Sequence, residues 1–140
     1  MNKKIIKPFI LFMIGGFSYV IIELIWRAYS HISMFFVGGI CFVIIGGINE
    51  FYTYEMNLID QMLISSIAIT IIEFIAGCIV NIWLGWNVWD YSSVPFNILG
   101  QVCILYMFLW FLLSAVAIIF DDYLRYWLFK EEKPHYKIFN

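Results

Sequence analysis

The chain has 140 residues, 64% hydrophobic and 13% charged, with a formal net charge of −2. Soluble domains carry about 25% charged residues, so an ordinary water-facing surface is excluded. Eight Lys plus Arg against ten Asp plus Glu leave no basic face for nucleic acid, and no glycine-rich loop leads into a Lys-Ser or Lys-Thr pair, which excludes a P-loop nucleotide site in this chain.

Lys3, Lys4 and Lys7 precede an apolar run from Pro8 through Ile22 that lacks a small-residue cleavage site. This run reads as a first transmembrane helix over 8–27 rather than a removable leader. No Lys, Arg, Asp or Glu occurs from Ala28 to Asn49 or from Tyr91 to Phe120, and each run exceeds the roughly 20 residues that cross a bilayer as a helix. Further helices are expected over 33–50, 59–84 and 98–121. Backbone groups in lipid must pair within their own segment, so helices form despite the dense Ile, Phe and Val content.

The links between these spans are short and polar. Arg27 to Ser33 contains His31, and Glu50 to Leu58 carries Glu55 ahead of Asp60. The segment GWNVWDYSSVPFN joins interface-seeking aromatics to turn-forming Asn, Asp, Ser and Pro, with Pro95 barring a longer third helix. The expected fold is all-α: one integral membrane domain over 1–140, a four-helix transmembrane bundle with an interfacial or re-entrant segment before the last span. Lys3, Lys4 and Lys7 at one end and Arg125, Lys130, Lys133 and Lys137 at the other place both termini in the cytoplasm. The aromatic stretch DYLRYWLF at 122–129 is expected to lie along the interface or to project from the last helix.

Polar residues inside these runs are the candidates for function. Glu73 lies midway along the third span, where a charge facing lipid would be costly. A spacing of four joins Glu73 to Gly77, Asn81 and Gly85, with Thr70 one turn earlier. That stripe reads either as a helix-packing seam or as a substrate, ion or proton site. Glu23 and Arg27 form an i,i+4 pair with His31 one turn further on, either a local salt bridge or part of a polar pocket. Trp83, Trp86, Trp89 and Tyr91 suit interface anchoring, while Trp86, Asn87, Trp89 and Asp90 also suit a cavity mouth. The candidate ligand-binding set is therefore Glu23, Arg27, His31, Glu73, Asn81, Trp86, Asn87, Trp89 and Asp90.

Other polar features have simpler readings. Gly38-Gly39 and Gly46-Gly47 recur eight residues apart and predict close helix packing. Asp121, Asp122 and Arg125 can pair at the end of the last span. Cys41, Cys78 and Cys103 fall in apolar surroundings and read as packed thiols. Glu23 with His31 is too small a set for a metal, no Ser/His/Asp constellation appears, and neither an enzyme nor a cofactor is expected.

Three stretches together, ELIWRAYSHISMFFVGGICFVIIGGINE, NIWLGWNVWDYSSVPFNILGQVC and DDYLRYWLFKEEKPHYKIF, resemble the bacterial family described as Putative ABC-transporter type IV, or CmpB-like permease, over about residues 12–139. Within the resemblance, Glu23, Arg27 and His31 match the first motif, Asn49 and Glu50 its ending, Asn81, Gly85, Trp86, Asn87, Trp89 and Asp90 the central motif, and Asp121, Asp122, Tyr123 and Arg125 the last. Ala28 stands where the resemblance leads to a Gly, which weakens the expectation of a sharp turn there. The resemblance implies a small transport protein or permease subunit of a bacterial cell membrane. Its expected partners are the bilayer, a second copy or another membrane subunit, and a separate ATPase if it works in an ABC system; a proton-coupled dimeric exporter relying on Glu23 or Glu73 is the other energetic route. The alternative is a non-catalytic assembly or regulatory subunit that binds other transmembrane helices.

Overall fold

Side chains set the helices against one another in an inverted pattern. Along the third helix Leu63, Ile67, Ile71 and Ile75 are exposed at four-residue spacing, while Ser65, Ser66, Ile69 and Glu73 are buried. The first helix exposes Phe17, Ile21 and Ile25, and the last exposes Leu105, Phe108, Leu112 and Val116. Ser65, Ser114 and Asp121 are fully buried. A chain with oily rims and polar centres has lipid as its solvent, where association rests on close packing and internal hydrogen bonds.

The computed structural model describes residues 3–28, 30–51 and 57–131. The side chains of Lys3, Lys4, Asn49 and Glu50, together with Glu55, Lys133, His135 and Lys137, lie outside the described residues. Four α-helices follow in order, α1 Lys3–Arg27, α2 Ile32–Phe51, α3 Leu58–Gly77 and α4 Ile104–Phe129. A π-helical segment, Cys78–Trp83, extends α3, and two short strands, β1 Asn97–Ile98 and β2 Val102–Cys103, pair antiparallel before α4. Three stretches are long and apolar enough to cross a membrane: Ile5–Arg27, Leu58–Trp83 and Ile104–Phe129. The corresponding part of α2, Ile32–Ile48, is apolar but shorter. The protein is thus an all-α, multi-pass membrane protein.

Several boundaries differ from the sequence expectation. Helix α1 starts five residues before Pro8, which sits inside it; a proline there forfeits only one helical hydrogen bond, close to an end where donors already lack partners. The third helix ends at Trp83 through its π turn, well short of Pro95. Residues 98–103, expected in the last helix, instead close the β1–β2 turn, with Leu99 and Gly100 at positive φ. Residues 122–129 continue α4 without a break, and the helix stops at Lys130 in the left-handed conformation. The buried Asp121–Arg125 pair, 2.8 Å apart, supports that continuation from within.

Helices α1 and α2 pair as a tight antiparallel hairpin through their small residues. A Cβ at Gly15 would strike Phe42, one at Gly16 Phe35, one at Gly38 Tyr19 and one at Gly39 Phe12. Gly46 serves differently, since a Cβ there would meet the Asp121 carboxylate of α4. The second pair, α3 and α4, closes the bundle. Asn57 caps α3, its side chain accepting from the Asp60 amide at 2.8 Å, and Asp60 adds negative charge to the first turn. Lys7 pairs with Glu131 and lies 5.7 Å from the Phe129 ring centroid, so the start of α1 and the end of α4 share one end of the bundle.

The α1–α2 link turns sharply even without a glycine. Ala28 takes φ 63 while its amide bonds to the Leu24 carbonyl at 3.0 Å. A left-handed alanine costs roughly 1–2 kcal/mol, partly offset by the greater freedom a glycine has when unfolded. Ala28→Gly is therefore expected to stabilise the protein by about 1 kcal/mol, measured by reversible unfolding in mixed micelles. A loss of stability would show that the turn is not left-handed.

Candidate functional site

Where α1, α3, α4 and the 84–103 segment converge, with Met34 of α2 at the edge, they border a half-open cavity of about 350 Å³. Glu23 and Arg27 enter from α1, Glu73 from α3, Trp89 and Tyr91 from the loop, and Tyr106 and Trp110 from α4. A second, apolar cavity of about 120 Å³ shares Tyr19, Glu73 and Trp110 with the first and extends toward Cys41, Phe42 and Phe120.

Glu73 is a buried acid on this wall with one oxygen engaged and one open. Trp110 donates its indole N–H to Oε2 at 2.7 Å. The Tyr91 phenol also bears on the carboxyl, yet Oε1 has no partner of hydrogen-bond geometry although the residue is only 5% exposed. Leaving a buried acceptor unmatched costs about 1–3 kcal/mol. Burial and then the charge of Glu73 push the Tyr91 phenol well above its ordinary range, so it stays a donor at neutral pH.

The other charges near the cavity are matched. Arg27 donates Nε to Glu23, and Nη1 donates to the Val88 carbonyl at 3.1 Å, tying the end of α1 to the loop. The Tyr19 hydroxyl meets Glu23 from one turn earlier. Aromatic rings form a continuous wall: Tyr91 stacks on Tyr106 with centroids 4.6 Å apart, Tyr106 reaches Trp110 at 6.4 Å, and Trp110 reaches Tyr19 at 6.0 Å.

The structure brings Glu23, Arg27, Glu73 and Trp89 of the sequence-derived candidates to the cavity. It places the remaining candidates elsewhere. His31 accepts from the Ser33 amide through Nδ1 at 3.1 Å and caps α2, its ring 5.5 Å from exposed Trp86. Asn87 is an exposed turn residue with φ 51. Asp90 is exposed and accepts from the Ser92 amide at 2.9 Å, a bond that holds its carboxyl below the usual range. Among the described residues no group of three or more His, Cys, Asp or Glu could hold a metal.

Asn81 is a brace. Its amide nitrogen donates to Gln101 at 2.8 Å, and its oxygen accepts from Val88 at 2.7 Å and from Trp89 at 3.4 Å. The π turn lies where this side chain applies both ends of its amide to the loop, Leu84 reaching back to the Ile79 carbonyl at 2.9 Å. Trp89 donates to the Gln101 carbonyl at 3.0 Å, and Gly77 leaves space that Gln101 and Trp89 fill. The stripe drawn from Glu73 through Gly77 and Asn81 is thus one packed surface. Gly85 leaves it, serving a positive-φ turn with nothing near its Cβ position, and Thr70 bonds back to the Ser66 carbonyl at 2.8 Å.

Sequence reasoning missed Gln101, Tyr106, Trp110 and Tyr19. Two of them carried a signal: an indole N–H and a carboxamide inside a charge-free run each require an internal partner. Asn81→Ala would strand the Val88 amide and the Gln101 carboxamide, a loss of about 1–3 kcal/mol. Hydrogen exchange should then show faster exchange at Val88 and Trp89 with the α1–α2 hairpin unchanged; unaltered loop protection would remove Asn81 as the brace.

The profile of the family described as Putative ABC-transporter type IV matches residues 10–138. No curated protein and no solved structure shows significant similarity to the chain. The match spans nearly the whole sequence and agrees with the three spanning helices, so the chain belongs to the ABC-transporter type IV family, as a small polytopic membrane protein consistent with a permease subunit.

Proposed function

We propose that the chain is a permease subunit whose substrate route passes through the Glu73 cavity. The observation that supports this most directly is the buried carboxylate oxygen, Oε1, without a hydrogen-bond partner on the wall of a cavity of about 350 Å³. What sets Glu73 apart from a buried packing carboxylate is its place on a cavity wall, where an acceptor can meet a ligand. Glu23, Arg27, Glu73 and Trp89 line the route, while Asn81 holds the loop that roofs it. His31, Trp86, Asn87 and Asp90 act from the exposed end of the bundle, where an arriving solute first meets the protein.

The energy comes from a separate ATPase subunit, because this chain carries no P-loop. That subunit docks on the cytoplasmic side, where both termini lie in the bacterial membrane. Helix α2 makes a fourth crossing alongside α1, a reading supported by their antiparallel hairpin and by the Lys7–Glu131 pair at the other end of the molecule. In a cysteine-free background, a single cysteine at Asp90 is expected to react with a membrane-impermeant maleimide added outside intact cells, and one at Glu131 only after the cells are opened. Labelling of both from outside would reject this orientation.

Glu73→Gln tests the route with little change of shape. Co-purified with its ATPase and reconstituted in proteoliposomes loaded with a mixed solute extract, the wild-type complex is expected to move at least one solute on ATP addition. The variant should assemble normally and move that solute at least about tenfold more slowly. Loss of assembly in the variant would instead assign Glu73 to packing and favour a role as an assembly subunit. An intact wild-type complex that moves nothing would defeat the permease reading.

A further inference from the structure

We infer that the two adjoining cavities form a site for an amphiphilic organic cation, with its cationic head between Glu73 and the aromatic wall and its apolar part beside Phe42 and Phe120. The inference deepens the permease reading and rests on it only for treating this ligand as the cargo.

Charge comes first. The charged side chains lining the larger cavity are Glu23, Arg27 and Glu73. Arg27 and Glu23 neutralise each other as an ion pair, which leaves one carboxylate to be matched. Trp110 donates to one oxygen of Glu73 and the Tyr91 phenol bears on the carboxyl, both of them neutral groups, while Oε1 has no partner of hydrogen-bond geometry and, among the described residues, no cation beside it offsets the charge. One added positive charge completes the site, whereas an anion would meet an unmatched carboxylate in a low-dielectric setting.

The walls then select the kind of cation. Tyr91, Tyr106, Trp110 and Tyr19 follow one another at ring-contact distances, and aromatic faces attract a positive charge through their quadrupoles. Rings do not replace the oxygen shell of a small metal ion, which needs about six or more oxygen ligands. A quaternary ammonium or phosphonium, large and weakly hydrated, loses little on entering such a cage.

Shape supplies the remaining criterion. Tyr19, Glu73 and Trp110 belong to both cavities, so the carboxylate stands at the junction of a ring-walled chamber and an apolar one. The apolar chamber is bordered by Gly15, Gly38, Cys41, Phe42 and Phe120. A head with an attached greasy group spans that junction, while a bare ammonium would fill only one side.

Tetraphenylphosphonium is a suitable probe, and tetraphenylborate matches its shape with opposite charge. Each is dialysed separately to equilibrium against the full chain in lipid nanodiscs, with empty nanodiscs as the blank. Saturable binding of the phosphonium above the blank is expected, with none for the borate. Glu73→Gln should weaken phosphonium binding at least about tenfold, and Tyr106→Leu should weaken it several-fold, in keeping with one lost cation–π contact. The second variant carries the test if the first fails to assemble. Absence of saturable phosphonium binding, equal binding of the borate, or wild-type binding by both variants would overturn the assignment. Failure here with Glu73-dependent transport intact removes the cation and leaves the permease; binding without transport does the reverse.

Discussion

A lipid solvent offers no water to a polar group that fails to find a partner inside the protein. Everything distinctive about this chain follows from how its few buried polar groups meet that demand. Asp121 and Arg125 satisfy one another at 2.8 Å beneath Gly46, whose missing side chain gives the carboxylate room. Asn81 uses both ends of its amide on the 84–103 loop. Ser114 bonds to the Trp110 carbonyl at 2.6 Å and Thr70 to that of Ser66, so their hydroxyls close on their own helices. These contacts are structural, each made within the fold.

Adhesion between helices is supplied differently in the two halves. In α1 and α2 it comes from shape: one glycine pair on each side of the seam receives Phe12, Phe35, Phe42 and Tyr19, and dispersion over that contact replaces the hydrophobic effect that lipid cancels. In α3 and α4 the seam is polar, running from Glu73 and Trp110 to the Gln101–Asn81 brace. The first seam needs small residues, the second needs matched donors and acceptors. The cavity opens where they meet, because a face built for close approach and a face built around long polar side chains do not fill the same space.

The sequence made the helices legible through uninterrupted apolar runs, and its Gly38-Gly39 and Gly46-Gly47 pairs foretold close packing but not the partner, which is α1 for the first pair and α4 for Gly46. Glu23 with Arg27 was legible from i,i+4 spacing alone, and Asp121 with Arg125 likewise. What lay beyond reach depended on tertiary placement. The β1–β2 turn hides in an apolar stretch because Leu99 adopts φ 54 beside Gly100, a conformation no leucine advertises. The π turn shifts the register after Gly77, so Gly85 departs from a stripe that an ideal helix would have kept. His31 sits one turn beyond Arg27 only if α1 continues; Ala28 ends it, and the imidazole turns to cap α2 instead. Trp110 is 37 positions from Glu73, and nothing local announces their contact.

Two buried side chains of α3 bear comparison. The Ser65 hydroxyl is fully buried and without a partner, as is one oxygen of Glu73. They are not equivalent. A hydroxyl can rotate and its desolvation is modest, whereas a carboxylate stripped of water without a counter-charge is among the most costly groups a fold can carry. Helix packing could be achieved there with Gln at lower cost, since Trp110 needs only a single acceptor. The remaining oxygen, on the shared wall of two cavities and beside aromatic rings, is the group on which the proposed site rests. That difference between a closed polar contact and an open one separates the braces of this protein from its proposed site.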